Sequence, residues 1–274
     1  MTHRSGAKSR RAVTVAEAYF SESIIPAVQS RGVVTLHDMA GVLVLNGGDE
    51  FHRGNEPQDE ALRVAALAGP AYVIATAARD APEAAVRTAQ RWFSGLGLAI
   101  TELRLRTPAD ARSGEIAAQA ADGGFFYIVG GDPGRVVQVL RDSLTWKAIV
   151  SAWSGGAALA GSSAGAMALC RWTLVRAAFP GHTRRRAMDA LDLVPDCAVL
   201  PHFDAFGERW IPSARAALGS EALLLGLDER TAAAWSDGGW TAMGRGRVTL
   251  LRSDERRVFG PGEHIEGMPA PHLA

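Results

Sequence analysis

From residue 41 onward the apolar residues fall into short, nearly unbroken runs separated by stretches of helical spacing. Gly41-Val-Leu-Val-Leu-Asn46 is such a run, stopped by Gly47-Gly48. A run without polar alternation predicts a strand buried on both faces, as in a parallel sheet. The spacing of Leu62, Ala65 and Ala66 predicts a helix over 58–68, followed by a second strand at Ala71–Thr76. A further helix opens near Pro82 and runs toward Gly95, since proline suits a first helical turn. A third strand is expected over 98–105, a helix over 113–121, and a fourth strand at Phe125–Val129, halted by Gly130-Gly131. Helices over 133–142 and 146–153 lead to a short fifth strand, Ala157–Ala160. Strands alternating with helices of this length form right-handed βαβ units. The expected class is α/β, a mostly parallel sheet with helices on both faces.

Beyond Cys197 the rhythm loosens into Ala198–Leu200, Leu223–Leu227, Ala232–Trp235 and Val248–Arg252, with a turn at Asp237-Gly238-Gly239. These strands are expected to form an antiparallel edge. Residues 1–38 stand outside the alternation. They read as an N-terminal extension, with one loose helix over 13–28, in front of a single domain spanning 39–274. An ordinary terminal helix packed on that domain is the other reading.

Composition narrows the class. The 274 residues are 47% hydrophobic, with 29 basic against 29 acidic side chains. That balance excludes a disordered tail and lacks the basic excess of a nucleic-acid binder. Cys170 and Cys197 are too few for a disulfide framework or a four-ligand zinc site. The longest apolar stretch, 64–78, is interrupted by Gly69-Pro70 and is too short to span a bilayer. The expectation is a soluble, cytoplasmic protein with neither nucleic acid nor membrane as partner; the sequence leaves a homodimer open.

The chemistry gathers at Gly161-Ser-Ser-Ala-Gly-Ala166. This segment fits G-x-S-x-G with Ser163 at its centre, between an apolar strand and a helical run. A sharp strand-to-helix turn lifts such a serine out of the sheet, and flanking glycines let the chain bend. The competing reading is a tight packing turn of small residues. A hydroxyl needs a base, and the base needs an orienting acid. His202 follows the Ala198–Leu200 run and lies at the same sheet edge as Ser163, whereas His182 reads as a loop residue. Glu229 follows the Leu223–Leu227 strand and is the favoured acid, with Asp204 in reserve. The turn at Val129-Gly-Gly-Asp-Pro-Gly134 opens a helix. Its Gly131 N–H, with that of Ala164, completes an oxyanion hole, and Asp132 is placed to meet substrate. A phosphate loop is the rival, but no G-K-[ST] or G-x-G-x-x-G follows.

Together these residues resemble peptidase family S51, which includes aspartyl dipeptidase (dipeptidase E) and cyanophycinase. The resemblance rests on Leu45-Asn-Gly-Gly-Asp49, Gly130-Gly-Asp132, Gly161–Ala166, Pro201-His-Phe203 and Asp228-Glu-Arg-Thr-Ala232. It implies a flavodoxin-like, class I glutamine amidotransferase-like fold and a Ser–His–Glu triad at Ser163, His202 and Glu229. It also implies hydrolysis of a small peptide or Asp-containing dipeptide without metal or organic cofactor. The order serine, histidine, acid differs from the serine, acid, histidine order of α/β-hydrolases. Cyanophycinases carry Asp-Gln before the His-Phe pair and several arginines after it. Here Leu200-Pro201 precede His202 and only Arg209 follows closely; the Pro201-His-Phe203 form is nearer dipeptidase E, whereas Asp228-Glu-Arg-Thr-Ala232 is nearer cyanophycinase. Selecting an aspartate requires a cation, and Arg209, Arg215 and Arg184–Arg186 are the candidates. Gly47–Phe51 also spells the diguanylate cyclase signature, but there the motif follows an acidic metal-binding strand, which is lacking upstream here. A non-catalytic small-ligand-binding module on the same scaffold is the alternative, and it has no need of contact between Ser163 and His202.

Overall fold

A computed structural model of the chain describes residues 40–176 and 185–272. The extension expected over 1–38, His182 and Arg184 lie outside these residues.

Strand β1 (Leu43–Asn46) is followed by α1 (Glu56–Ala65), β2 (Ala71–Ile74), α2 (Pro82–Gly95) and the two-residue β3 (Thr101–Glu102). Helices α3 (Pro108–Ala111) and α4 (Gly114–Ala121) lead to β4 (Phe125–Ile128); α5 (Pro133–Leu140) and α6 (Leu144–Ser154) lead to β5 (Ala158–Ser162). Short polar side chains start the later helices: Ser113, Asp132 and Ser143 each accept a backbone N–H from their first turn. Strands β1, β5, β4, β2 and β3 pair in that order, all parallel. The run β5-β4-β2-β3 has the flavodoxin-like arrangement, with neighbours diverging from β2.

Because side chains alternate across a strand, each of these apolar strands feeds two cores. Leu43, Leu45, Ile74, Phe126, Ile128 and Leu159 pack on one face with Val136, Leu140, Ile149 and Trp153 from α5 and α6. Val44, Val73, Phe125 and Tyr127 pack on the other with Leu62, Val86, Ala89 and Phe93 from α1 and α2. The unbroken apolar runs are thus explained: neither face meets water.

The second half departs from the single antiparallel edge expected of it. After α7 (Ala164–Leu169) come β6 (Cys170–Arg176), β7 (Arg185–Asp189), β8 (Val194–Leu200), α8 (Ile211–Leu218) and β9 (Leu223–Leu227). They are followed by β10 (Thr231–Ser236), β11 (Gly239–Gly244), β12 (Val248–Arg252) and β13 (Glu255–Phe259). Only β10 and β11 join the first sheet, antiparallel at the β1 side. The others form a second, six-stranded sheet in the order β13-β12-β9-β8-β6-β7. Strand β9 is buried at every position, so it needs neighbours on both edges and cover on both faces, which an edge of the first sheet cannot supply. The helical run expected after Ser163 stops at Leu169, where Trp172, Thr173 and Val175 favour strand over helix.

This arrangement gathers one rim. Strands β1, β4 and β5 are parallel and end together, and β8 and β9 likewise end together. Strand β10 runs antiparallel to β1 and starts beside its end, Ala232 opposite Asn46. The segment from β9 to β10 therefore crosses from one sheet to the other at the rim where the first sheet's parallel strands finish. Among the described residues no helix is long and apolar enough to cross a membrane.

Candidate active site

Ser163 sits between β5 and α7 with φ 47° and ψ −105°, a conformation that L-residues rarely adopt and that costs of order 1–3 kcal/mol. The glycines of the motif make the turn possible. A Cβ at Gly161 would lie 2.5 Å from the Gly165 carbonyl carbon, and one at Gly165 would lie 2.3 Å from the Ile128 oxygen. The turn is tied down by the Ser163 N–H, which donates to Asn46 O at 2.9 Å. Gly161, Ser162 and Ala164 to Cys170 are all buried, whereas Ser163 is half-buried and lines a cleft of about 1030 Å³.

His202 leaves the end of β8, also at positive φ (49°). Phe203, the next residue, is buried against Gly226, where a Cβ would come within 2.7 Å of its ring. Its N–H donates to Leu227 O at 2.9 Å, and the His202 N–H donates to Gly47 O at 2.7 Å. The backbone on both sides of the imidazole is thereby fixed to β9 and to the turn after β1. The ring stacks on Phe206, with centroids 4.8 Å apart, and abuts Gly48. Its Nε2 stands 3.1 Å from Ser163 Oγ, and its Nδ1 stands 2.8 Å from Glu229 Oε1. Hydroxyl, imidazole and carboxylate thus stand in series within hydrogen-bonding distance.

Glu229 lies on the segment between β9 and β10. Asp204, the reserve acid, reaches the same place differently: its Oδ1 accepts the Glu229 backbone N–H at 2.9 Å. Asp204 therefore holds the main chain of Glu229 and does not meet the imidazole.

The Gly130–Asp132 turn faces the serine. A Cβ on Gly130 would lie 3.4 Å from Ser163 Cβ, and one on Gly131, whose φ is +139°, would strike Ala77 O at 2.2 Å. The Gly130 N–H is taken by the Glu50 carboxylate at 2.8 Å. Gly131 lines the cleft beside Ser163, while Ala164 opens α7 behind it. Asp132 lines the cleft too, but both its oxygens are engaged: one accepts Arg135 N–H at 3.3 Å, and the other pairs with Arg79 at 3.0 Å.

The arginines divide. Arg209 is exposed on the turn at 207–210 and does not line the cleft. Arg215 bonds the carbonyls of Gly219, Ser220 and Ala222 beyond α8. Arg185 and Arg186 do line the cleft, with Arg79, Arg135 and Arg176. Arg185 lies over Trp210, 4.0 Å from the ring centre, and its buried Nε has no hydrogen-bond partner among the described residues. Burial, and secondarily the nearby Arg176, weaken its hold on the proton. Among the described residues no group of three or more His, Cys, Asp or Glu side chains is placed to hold a metal.

Sequence reasoning missed Gly48 and Glu50. Gly47-Gly48 was legible as a strand-ending turn, but its contact with the histidine follows only from the packing of two sheets. Gly48 would place a Cβ 2.3 Å from His202 Cε1 and 2.4 Å from Nε2, so only glycine fits there.

The chain is similar to several known proteins. The cyanophycinases of Nostoc sp. (strain PCC 7120) and Trichormus variabilis are each 29% identical over 228 residues, covering 78% of this chain and 74% of the relative. The crystal structure of a peptidase from an acI-B1 actinobacterium superposes with a TM-score of 0.71 at 25% identity, over 84% of this chain and 98% of that one. A peptidase E protein from Listeria monocytogenes shares the fold, with a TM-score of 0.51 at 18% identity, over 83% of this chain and 100% of that one. The family model for peptidase family S51 matches residues 42–242, and the chain belongs to that family.

Proposed function

We propose that the protein is a serine peptidase acting on short, Asp-containing peptides through Ser163, His202 and Glu229. The observation that carries this reading is the double engagement of one imidazole, 3.1 Å from Ser163 Oγ and 2.8 Å from Glu229 Oε1. Glu229 accepts the Nδ1–H and fixes the tautomer, which leaves Nε2 free to accept the serine proton. Ser163 Oγ attacks the scissile carbonyl while its proton passes to His202. The tetrahedral oxyanion is met by the N–H groups of Gly131 and Ala164. His202 then gives the proton to the leaving amine, and a water deprotonated by the same ring releases the acyl group. A ligand-binding module would have no use for a strained serine in contact with a histidine that is itself oriented by a carboxylate.

The substrate class is argued from charge. Among the described residues five arginines and two aspartates, Asp80 and Asp132, line the cleft, and Arg79 is already paired with Asp132. Arg185 and Arg186 line the cleft on β7, and their guanidinium groups suit an acidic group on the substrate, because a charge-assisted bond to a carboxylate is stronger than a neutral one. A panel of Asp-Xaa dipeptides, isoaspartyl dipeptides and β-Asp-Arg tests this. Hydrolysis confined to Asp-Xaa indicates dipeptidase E-like chemistry, and hydrolysis of β-Asp-Arg indicates cyanophycinase-like chemistry. Preference for substrates with no acidic group would refute the substrate class.

A further inference from the structure

Glu50 belongs to none of these roles, yet its side chain ties together the three turns that build the site. It lies in the turn after β1, and its Oε1 accepts the Gly130 N–H at 2.8 Å in the turn after β4. Its Oε2 accepts from Ser162 Oγ at 2.9 Å, at the end of β5 and next to Ser163. Gly130 is held between the two: a Cβ there would lie 2.9 Å from Glu50 Oε1 and 3.4 Å from Ser163 Cβ. Glu50 is itself fixed in place. Gly48 abuts His202 on one side. On the other, Phe51, at φ 63°, buries its ring 5.1 Å from Tyr127 and 6.0 Å from Phe93.

We propose that Glu50 is a positioning residue that sets the Gly130–Gly131 turn at its working distance from Ser163, an inference that rests on the peptidase reading above. It does not line the cleft. By accepting the Gly130 N–H it fixes the orientation of that peptide, and with it the next N–H, Gly131, which serves the oxyanion. What matters is reach and acceptor geometry, because a negative charge near a developing oxyanion opposes it. Glutamine retains both: its amide oxygen accepts from Gly130, and its amide nitrogen donates to the Ser162 hydroxyl. Aspartate retains the charge but is one methylene too short to span both partners.

The test measures labelling by a fluorophosphonate, which forms a bond from Ser163 Oγ to phosphorus, expels fluoride and places its phosphoryl oxygen where the oxyanion would sit. The maximal rate, kinact, and the half-saturating concentration, KI, are compared for wild type and for Glu50→Ala, Glu50→Asp and Glu50→Gln. Glu50→Ala and Glu50→Asp are expected to lower kinact by about 10²-fold, as loss of an oxyanion donor does. KI should stay within about threefold and Glu50→Gln should label near the wild-type rate, a split that a general loss of structure does not produce. Wild-type kinact in Glu50→Ala, equal losses in Ala and Gln, or a loss confined to KI would each overturn the proposal. If Glu50→Ala does not fold, the Asp and Gln pair decides alone. A wild type that fails to label at Ser163 removes the peptidase reading and this inference with it, whereas a wild type that labels beside an unaffected Glu50 series removes this inference only.

Discussion

Gly48→Ala isolates the packing on which the histidine depends. The new Cβ would stand 2.3 Å from His202 Cε1 and 2.4 Å from Nε2, against an ordinary carbon contact of about 3.5–4.0 Å. The ring must therefore retreat by roughly 1 Å. From its present 3.1 Å to Ser163 Oγ, Nε2 would move to about 4 Å, beyond hydrogen-bonding reach. Misplacement by about 1 Å costs on the order of 10²-fold in rate. The backbone adds its own penalty, because Gly48 has φ +117°, which costs a residue with a Cβ about 1–3 kcal/mol. Gly238→Ala is the control: its φ is +77°, yet nothing lies within 4 Å of the added atom. Both variants should lose stability in thermal unfolding, and only Gly48→Ala should lose the fluorophosphonate labelling rate. Wild-type labelling in Gly48→Ala, or an equal loss in Gly238→Ala, would refute the reasoning.

The two acids near the histidine should separate. Glu229→Gln presents the wrong hydrogen-bonding group to Nδ1 and is expected to lower turnover by about 10³–10⁴-fold. Asp204→Ala removes only the acceptor for the Glu229 N–H and should cost about tenfold or less; steady-state rates showing the reverse order would move the acid to Asp204. Buried Asp59 gives a pH signature. Burial raises its carboxyl from 3.8 to about 8, despite a hydrogen bond from Trp92 that lowers it. Between about pH 4 and 8 the folded protein keeps a proton that the unfolded chain has released, so stability is greatest below the unfolded value and falls with rising pH. The slope is about 1.4 kcal/mol per pH unit at most, and it levels off once the folded carboxyl ionises. Asp59→Asn removes this contribution, so denaturant unfolding at pH 5 and 7.5 should show the variant gaining on wild type at the higher pH; parallel profiles would contradict it.

The first half of the fold was legible because each strand of the parallel sheet is buried on both faces, and an unbroken apolar run such as Phe125–Val129 has few other uses. Ser163 was legible for a related reason: its flanking glycines answer to backbone contacts with Gly165 and Ile128 that any such turn must make. The second sheet was not. Strands β6 and β7 are irregularly and only partly buried, so their period-two signal is weak, and nothing local says that β8 and β9 pair with each other and not with β1. The same non-local pairing hid Gly48, Glu50 and the role of Asp204. Arg209 misled because nearness to His202 in sequence is not nearness in space: the turn at 207–210 carries it to solvent, while Arg185 arrives on β7.

The central claim is that the Ser163 hydroxyl, deprotonated by His202, is the nucleophile. Intact mass spectrometry after fluorophosphonate treatment tests it most directly, comparing wild type with Ser163→Ala. The expected result is one phosphonyl adduct on wild type, mapped to Ser163, and none on the variant. An adduct on Ser163→Ala, formed as fast as on wild type, would contradict the claim.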